Sequence, residues 1–376
     1  MEEDLMYILY DKTKENCFVD LGAMQFFEVP FPVKQPSAFR FMLDEEYLEC
    51  ELAKMKEHFN RDGMPKCIFF DLSQIERCSA RVFKLIVDCF NDIHLSFCNI
   101  QTNRHELINT YYSDVYGIES VEYNSAMEAL SGYRDEVQLQ ITYFSQQSEL
   151  KEQDDEYGGI LANLREKRWC ELLEECNIPE TEEVFRRDSR KANKYFDLSL
   201  LDFNVYKFKS MVYYLILKLI DWIREHPNIK CGLIEQNNFT GKKKEVFLIS
   251  SSVTGAIIAN AIGCYINTPT VFVISLGPEE QDEERNRRLR KGINLSALNN
   301  DMIYVFDIIR FGQEYSDLKT VLAASAEGKV IAALGMANYY NNIKYNGASE
   351  KVEIISLVNI KNNQEILGYK VEGGIN

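Results

Sequence analysis

The sequence predicts an α/β protein of two domains, the second built on a mostly parallel sheet with helices on both faces. Three observations lead to this class. After residue 244, short apolar runs alternate with helical segments, and strands joined through helices pair in parallel. Residues 67 to 100 contain an apolar run, a segment with helical spacing and a second apolar run. Between these regions, residues 145 to 157 lose nearly all apolar content and concentrate charge.

The first half, residues 1 to 144, is predicted to form a smaller α/β domain. An amphipathic pattern predicts a helix near Glu45 to Phe59, and the apolar run Cys67 to Leu72 predicts a buried strand. Ala80 to Ile93 has the apolar spacing of a helix, and Leu95 to Ile100 is a second apolar run. Together they predict a parallel strand–helix–strand unit.

Residues 145 to 157 are predicted to be an acidic linker, and residues 158 to 376 the second domain. Its predicted helices are Ile160 to Cys176, Tyr206 to Ile223, Gly255 to Ile262 and Tyr315 to Ala326. Its predicted strands are Glu245 to Ser250, Thr270 to Ser275, Met302 to Phe306, Val330 to Met336 and Val352 to Val358.

Composition excludes several classes of function. A net charge of −16 repels nucleic acid, so no nucleic-acid partner is expected. No run reaches the roughly 18 apolar residues of a membrane span, and the acidic start is unlike a secretory leader, so we expect a cytoplasmic protein without a membrane partner. The ten cysteines form no CxxC pair and the four histidines no cluster, which gives no metal signature.

Two strand-to-helix turns carry suitable chemistry, because open parallel sheets bind ligands at the carboxyl ends of their strands. The first turn, Ser250 to Gly255, offers four hydroxyls and a glycine that would let an anion approach the backbone amides. The alternative is a simple helix cap, since serine and threonine are preferred there anyway. The sequence leaves both interpretations open.

The second turn, Asp307 to Glu314, follows the predicted strand Ile303 to Phe306. An acid at the end of a strand can accept hydrogen bonds from ribose hydroxyls, and a glycine loop before a helix can hold a phosphate. The order acid, glycine loop, helix therefore predicts a sugar-phosphate site.

Residues 158 to about 361 resemble type I phosphoribosyltransferases, and orotate phosphoribosyltransferase most of all. The matching segments occur in the family's order: Arg190-Lys191 before Tyr195-Phe196-Asp197, Thr254-Gly255 before a helix, Asp307 with Gly312, and Asn346 to Lys351. The resemblance implies a ligand, phosphoribosyl pyrophosphate or a nucleoside monophosphate, and a homodimer.

The resemblance also implies a role for each matching residue. Asp307 would be catalytic, holding ribose and contacting Mg²⁺, and Lys291 would be the catalytic lysine beside the leaving pyrophosphate. The other implied binding residues are Ser251, Ser252, Thr254 and Gly255 for pyrophosphate, Arg310, Gly312 and Gln313 for the 5′-phosphate, and Arg190 and Lys191.

The second turn departs from the family's pattern. Phe306 replaces the first of two adjacent acids, so one ribose acceptor and one Mg²⁺ contact are missing. Glu314 places a carboxylate near the expected phosphate, and such a like-charge contact costs about 1 to 3 kcal/mol. Arg310 could offset that cost by binding the phosphate or by pairing with Glu314.

The first half resembles a STAS domain more weakly, through Asp71 to Glu76 and Tyr123 to Leu130. STAS domains are small α/β modules that bind partner proteins or nucleotides. Cys78 to Arg81 stand where that family has its phosphorylation turn, although Ser79 is available. An unrelated α/β domain is the alternative. The resemblance implies a protein partner for residues 1 to 144.

Three functions remain open. The first is a phosphoribosyltransferase-like protein that binds phosphoribosyl pyrophosphate or a nucleotide, with weak or no transferase activity, coupled to a protein-interaction domain. The second is an active orotate-type phosphoribosyltransferase, a Mg²⁺-dependent enzyme that makes a nucleotide from phosphoribosyl pyrophosphate and a base. The third is a non-catalytic structural interaction protein.

Overall fold

The computed structural model describes residues 5–10, 14–28, 41–72, 74–77, 79–98, 164–178, 191–192, 195–196, 205–235, 239–273, 300–309, 328–338, 352–359 and 371–372, together with Tyr315, Leu318 and Leu322. By contacts, the chain divides into a first unit, Met1–Val29 with Arg40–Arg168, and a second unit, Pro30–Phe39 with Trp169–Asn376. The predicted linker lies outside the described residues, so the predicted domain limits stay a prediction.

The first unit is a parallel α/β structure with one antiparallel edge strand. Its elements are β1 (Ile8–Tyr10), β2 (Asn16–Asp20), α1 (Leu21–Glu28), β3 (Phe41–Met42), α2 (Glu45–Asp62), β4 (Cys67–Asp71), β5 (Ile75–Arg77), α3 (Ala80–Cys89) and β6 (His94–Cys98). The sheet order is β1-β2-β4-β6. Strands β2, β4 and β6 run parallel, and β1 is antiparallel. The predicted strand–helix–strand unit is thus observed as β4, α3 and β6.

Helix α2 has clear local causes for its start and its core-facing side. The Asp44 carboxylate accepts a hydrogen bond from the Tyr47 amide at 2.8 Å, which satisfies one orphan donor of the first turn. Its buried residues, Leu48, Leu52, Met55 and Phe59 among them, recur at helical spacing. Helix α2 packs against α3, so both helices contribute to one core.

The second unit contains the larger sheet. Its elements are β7 (Asn177–Ile178), β8 (Lys191–Ala192), β9 (Tyr195–Phe196), α5 (Val205–Glu225), β10 (Ile229–Cys231), β11 (Ile234–Glu235), β12 (Lys244–Ser250), α6 (Val253–Ile266), β13 (Thr270–Phe272), β14 (Asp301–Ile309), β15 (Val330–Asn338), β16 (Glu353–Asn359) and β17 (Val371–Glu372). Helix α4 covers residues 164–175, of which 164–168 belong to the first unit.

The large sheet is mostly parallel, as predicted. Its order is β11-β10-β12-β14-β15-β16, and β13 also pairs with β12. Every pairing among these strands is parallel except that of β10 with β11. Because β14 occupies one edge of β12, β13 lies along the edge that β12 shares with β10. The protein is therefore a mixed α/β structure.

Helices pack against the large sheet on both faces. On one face, Tyr315, Leu318 and Leu322 pack in a buried cluster with Tyr304 and Phe306 of β14. Alternation along β14 turns Ile303 and Val305 to the other face, where α6 contacts β12 and β14. None of the helices in the described ranges is long and apolar enough to cross a membrane.

The ring of Phe306 lies where a side chain on Gly335 would be. The two residues are partners in the β14–β15 ladder, and a Cβ atom added to Gly335 would overlap the Phe306 ring. We expect Gly335→Ala to lower the free energy of unfolding by about 1 to 3 kcal/mol, because a well-packed core resists an added methyl group. Denaturant titration measures the change.

Phe306→Leu provides the matched control for that substitution. The smaller side chain should cost about 1 kcal/mol alone and should remove most of the penalty of Gly335→Ala in the double variant. If the double variant lost the sum of the two changes in free energy of unfolding, that result would contradict the contact between Phe306 and Gly335.

Cys231 illustrates the state of a buried thiol in this unit. It is fully buried, and burial raises its pKa to about 12, although its thiol also contacts the Thr268 hydroxyl at 4.0 Å. Below that pKa the thiol stays protonated and unreactive. At pH 8 we therefore expect the exposed Cys264 to react with a thiol reagent while Cys231 does not. Mass spectrometry measures the labelling of each cysteine in native and in unfolded protein. Equal labelling of Cys231 and Cys264 in the native protein would contradict the burial of Cys231.

Candidate functional site

Strands β12 and β14 are neighbours whose connections leave the sheet in opposite directions. From β12 the chain passes through α6 to β13 on one side, and β14 leads towards β15 on the other. This reversal of strand order is a topological switch point, which opens a crevice at the carboxyl ends of the two strands. The first turn singled out in the sequence, Ser250 to Gly255, follows β12, and Asp307, which begins the second, lies on β14; residues 310–314 lie outside the described residues.

The first turn is a well-formed helix cap. The Ser252 hydroxyl accepts a hydrogen bond from the Gly255 amide at 3.1 Å, and Ser252 has extended backbone angles. The buried Ser250 hydroxyl donates to the Ser252 carbonyl at 3.4 Å. The cap interpretation therefore holds for Ser252. It leaves the amides of Val253 and Thr254, in the first turn, without an intrahelical acceptor.

The amino end of α6 is suited to an anion by its charge as well. Its first turn contains no acidic residue, so no carboxylate of that turn neutralises the positive end of the helix dipole. Thr254 is half-buried, and Val253 is 79% exposed. The start of the helix is thus open to solvent.

Gly255 brings this turn against β14. A Cβ atom added at Gly255 would lie 2.8 Å from the Val305 carbonyl oxygen, and 2.5 and 2.7 Å from the hydroxyl oxygens of Ser250 and Ser252. Only glycine allows the helix to approach the strand backbone this closely. The Ser251 hydroxyl reaches the same strand and shares a hydrogen bond of 3.2 Å with the Tyr304 hydroxyl.

Strand β14 extends beyond the end of its partner β12. Their ladder ends with Ile249 opposite Tyr304, whereas β14 continues to Ile309 against β15. The prediction that the strand ends at Phe306 is wrong, because the pairing of Ile308 with Ala337 and of Ile309 with Asn338 extends it. Asp307 therefore lies within the strand, half-buried, and its Oδ1 accepts a hydrogen bond from the Ile308 amide at 2.6 Å.

Phe306, which the sequence resemblance places where an acid would be expected, is a core residue of β14. Its side chain is 1% exposed and packs with Tyr304 and Tyr315. Because alternate residues of a strand face opposite sides, Phe306 and Asp307 point away from each other. A carboxylate at position 306 would lie in an apolar cluster without a partner, which is costly.

Of the predicted site residues, Ser251, Ser252, Thr254 and Gly255 lie in the turn after β12, and Asp307 lies on the adjacent strand β14. Lys291, Arg310, Gly312, Gln313 and Arg190 lie outside the described residues. The backbone of Lys191 forms β8 and pairs with Glu372 of β17. Tyr304 was missed by sequence reasoning, because its contact with Ser251 depends on the register between β12 and β14.

Among the described residues near the end of β14, Asp307 is the predicted Mg²⁺ contact. The described residues contain no group of three or more histidines, cysteines, aspartates or glutamates that could hold a metal ion. Phe306 faces the core, so Asp307 has no neighbouring acid on its own strand to share Mg²⁺.

The chain matches no protein-family model, and no curated protein matches it significantly. Among solved structures, the UMP synthase of Leishmania donovani is similar at 10% sequence identity and a TM-score of 0.36, over 86% of this chain and 75% of that one. Similarity at that level does not establish a shared fold.

Gly255→Ala tests the close approach of α6 to β14. In an ordinary helix, alanine is about 1 kcal/mol more stabilising than glycine. Here the added methyl group meets the Val305 carbonyl, and we expect the free energy of unfolding to fall by about 1 to 3 kcal/mol. Denaturant titration measures the change in the free energy of unfolding. An unchanged or higher free energy of unfolding would contradict the contact between α6 and β14.

Proposed function

We propose that the second unit is a phosphoribosyltransferase-like domain that binds phosphoribosyl pyrophosphate or a nucleoside monophosphate, with weak or no transferase activity. The observation that carries the proposal is the meeting of two features at one switch point: the capped amino end of α6 and the carboxylate of Asp307 on β14. One feature suits a phosphate and the other suits sugar hydroxyls.

In this proposal the phosphate docks on the amides of Val253 and Thr254, with the Thr254 hydroxyl beside them. Asp307 accepts hydrogen bonds from the ribose. Ser251 and Tyr304 hold the turn in position through their shared hydrogen bond, and Gly255 keeps the helix against the strand. Lys291, Arg310, Gly312, Gln313, Arg190 and Lys191 keep the binding roles that the resemblance implies.

Binding is favoured over transfer because the crevice has only part of the chemistry that transfer requires. Loss of pyrophosphate needs the developing charge to be stabilised, and the resemblance assigns that work to Mg²⁺ held near two acids. Phe306 faces the core, so position 306 supplies no second carboxylate beside Asp307. Binding of Mg²⁺ and catalysis by Asp307 and Lys291 stay predictions that belong to the active alternative.

The remaining predictions about function stay proposals. Residues 1 to 144 would serve as an interaction domain for a protein partner, and the STAS resemblance that motivates this is carried only by sequence. The homodimer and the cytoplasmic location likewise rest on the resemblance and on composition.

Val253→Pro gives the sharpest test of phosphate docking. Proline fits the first position of a helix, and Ser252 before it already has the extended angles that a proline requires (φ −106°, ψ 157°). The substitution removes one amide donor without breaking the helix. We expect the affinity for phosphoribosyl pyrophosphate and ribose 5-phosphate, measured by calorimetry, to fall about tenfold, since a hydrogen bond to a charged group contributes about 1.5 kcal/mol.

Val253→Ala is the matched control, because it shortens the same side chain and keeps the amide. Its affinity should equal that of the wild type. An equal loss in both variants would point to the side chain and contradict docking on the amide. Failure of the wild type to bind any sugar phosphate would favour the structural interaction protein.

Asp307→Asn tests the ribose contact. We expect at least about a tenfold loss of affinity for a nucleoside monophosphate, and no loss for inorganic phosphate, which has no hydroxyls to bind. Asp221→Asn, at an exposed carboxylate of α5, serves as the control. Incubation of wild type with labelled phosphoribosyl pyrophosphate, Mg²⁺ and a panel of bases separates binding from transfer, and rapid formation of a nucleotide would favour the active enzyme.

A further inference from the structure

A pair of buried acids lies at the carboxyl edge of the sheet in the first unit. Asp20 is the last residue of β2 and Asp71 the last of β4, and the two are partners in the parallel ladder. Each is 1% exposed. Carboxylates on adjacent strands and this buried lose hydration and face a like charge, so a cation beside them is stabilising.

Arg165 of α4 supplies that cation. Its Nη2 atom lies 2.9 Å from Oδ2 of Asp20 and 3.7 Å from Oδ2 of Asp71. The other oxygen of Asp20 accepts a hydrogen bond from the Ala23 amide at 3.0 Å, which caps α1. The Asp20 carboxylate thus accepts hydrogen bonds from the Ala23 amide in α1 and from Arg165, which lies 145 positions along the chain.

We propose that Asp20 and Asp71 form a guanidinium-binding site that Arg165 occupies within the same chain. The site fixes residues 164–168 to the first sheet and makes them an integral part of the first unit. Nη2 of Arg165 faces both carboxylates. Arginine suits this partly buried position because its guanidinium stays charged and is more weakly hydrated than an ammonium group, so it loses less on burial.

The site has a consequence for what the first unit can bind. Open α/β sheets bind ligands at the carboxyl ends of their strands, and here that edge holds two carboxylates and an arginine. The pair disfavours a phosphate at the same position by like-charge repulsion. Any nucleotide site of the protein is therefore expected elsewhere, and this inference does not depend on the function proposed for the second unit.

The test uses the full chain with Arg165→Ala, and Arg81→Ala as the matched control. Arg81 lies in the same unit and pairs with Glu45 at 3.4 Å, but its side chain is 65% exposed, so its loss should change little. Hydrogen exchange followed by mass spectrometry gives a local measurement. We expect amides of β2 and β4 to exchange at least about tenfold faster in Arg165→Ala, with no such change in Arg81→Ala.

Chemical rescue distinguishes a guanidinium site from general packing. The side chain of Arg165 is 22% exposed, so a small solute can reach its position. Guanidinium chloride at low, non-denaturing concentration should slow exchange in Arg165→Ala, whereas sodium chloride at the same concentration should not. Asp20→Asn combined with Arg165→Ala should lose the rescue. The proposal would be overturned if Arg165→Ala exchanged at the wild-type rate, or if guanidinium did not slow its exchange. It would also be overturned if guanidinium still slowed exchange in the double variant with Asp20→Asn.

Arg165→Lys covers the case in which the alanine variant does not fold. It keeps the charge and loses the planar group, so β2 and β4 should exchange faster than in wild type and faster than in Arg81→Lys. Equal exchange in the two lysine variants would overturn the requirement for a guanidinium.

Discussion

The close approach of helix α6 to strand β14 at Gly255 is the constraint on which the candidate site depends. With no side chain at position 255, the first turn of the helix reaches the Val305 carbonyl. That contact puts the orphan amides of the helix next to the part of β14 that extends beyond β12. A switch point alone offers only a crevice, whereas the contact at Gly255 also fixes the position of the helix against β14.

The packing of the same strand determines which side chains at its end can be polar. Positions 306 and 307 face opposite sides of the sheet, and position 306 lies over Gly335 within an apolar cluster. A second acid there would need polar neighbours that the cluster of Tyr304, Tyr315 and Leu318 does not provide. An acid at position 306 is therefore disfavoured by the packing of the sheet, and accommodating one would require more than one substitution.

Sequence patterns predicted the elements whose periodicity is strong. Cys67 to Leu72, Tyr206 to Ile223 and the alternation after residue 244 agree with the described strands and helices, because a buried strand and an amphipathic helix leave distinct apolar spacing. Helix α1 escaped prediction since residues 21–26 are all buried and so show no polar face. The position of Asp307 inside β14 was also missed, because the length of β14 is set by its partner β15.

Long-range contacts set the limit of what the sequence could reveal about the sites. The hydroxyl-rich turn and Asp307 were recognised from local composition, but Tyr304 and the pairing of Arg165 with Asp20 depend on register and on segments far apart in the chain.

The central claim is that a sugar phosphate binds at the β12–β14 switch point. A crystal structure with ribose 5-phosphate tests it most directly. The phosphate should lie within hydrogen-bond distance of the Val253 and Thr254 amides, with a ribose hydroxyl on Asp307. A ligand bound elsewhere, or a turn closed by its own side chains at saturating ligand, would contradict the account.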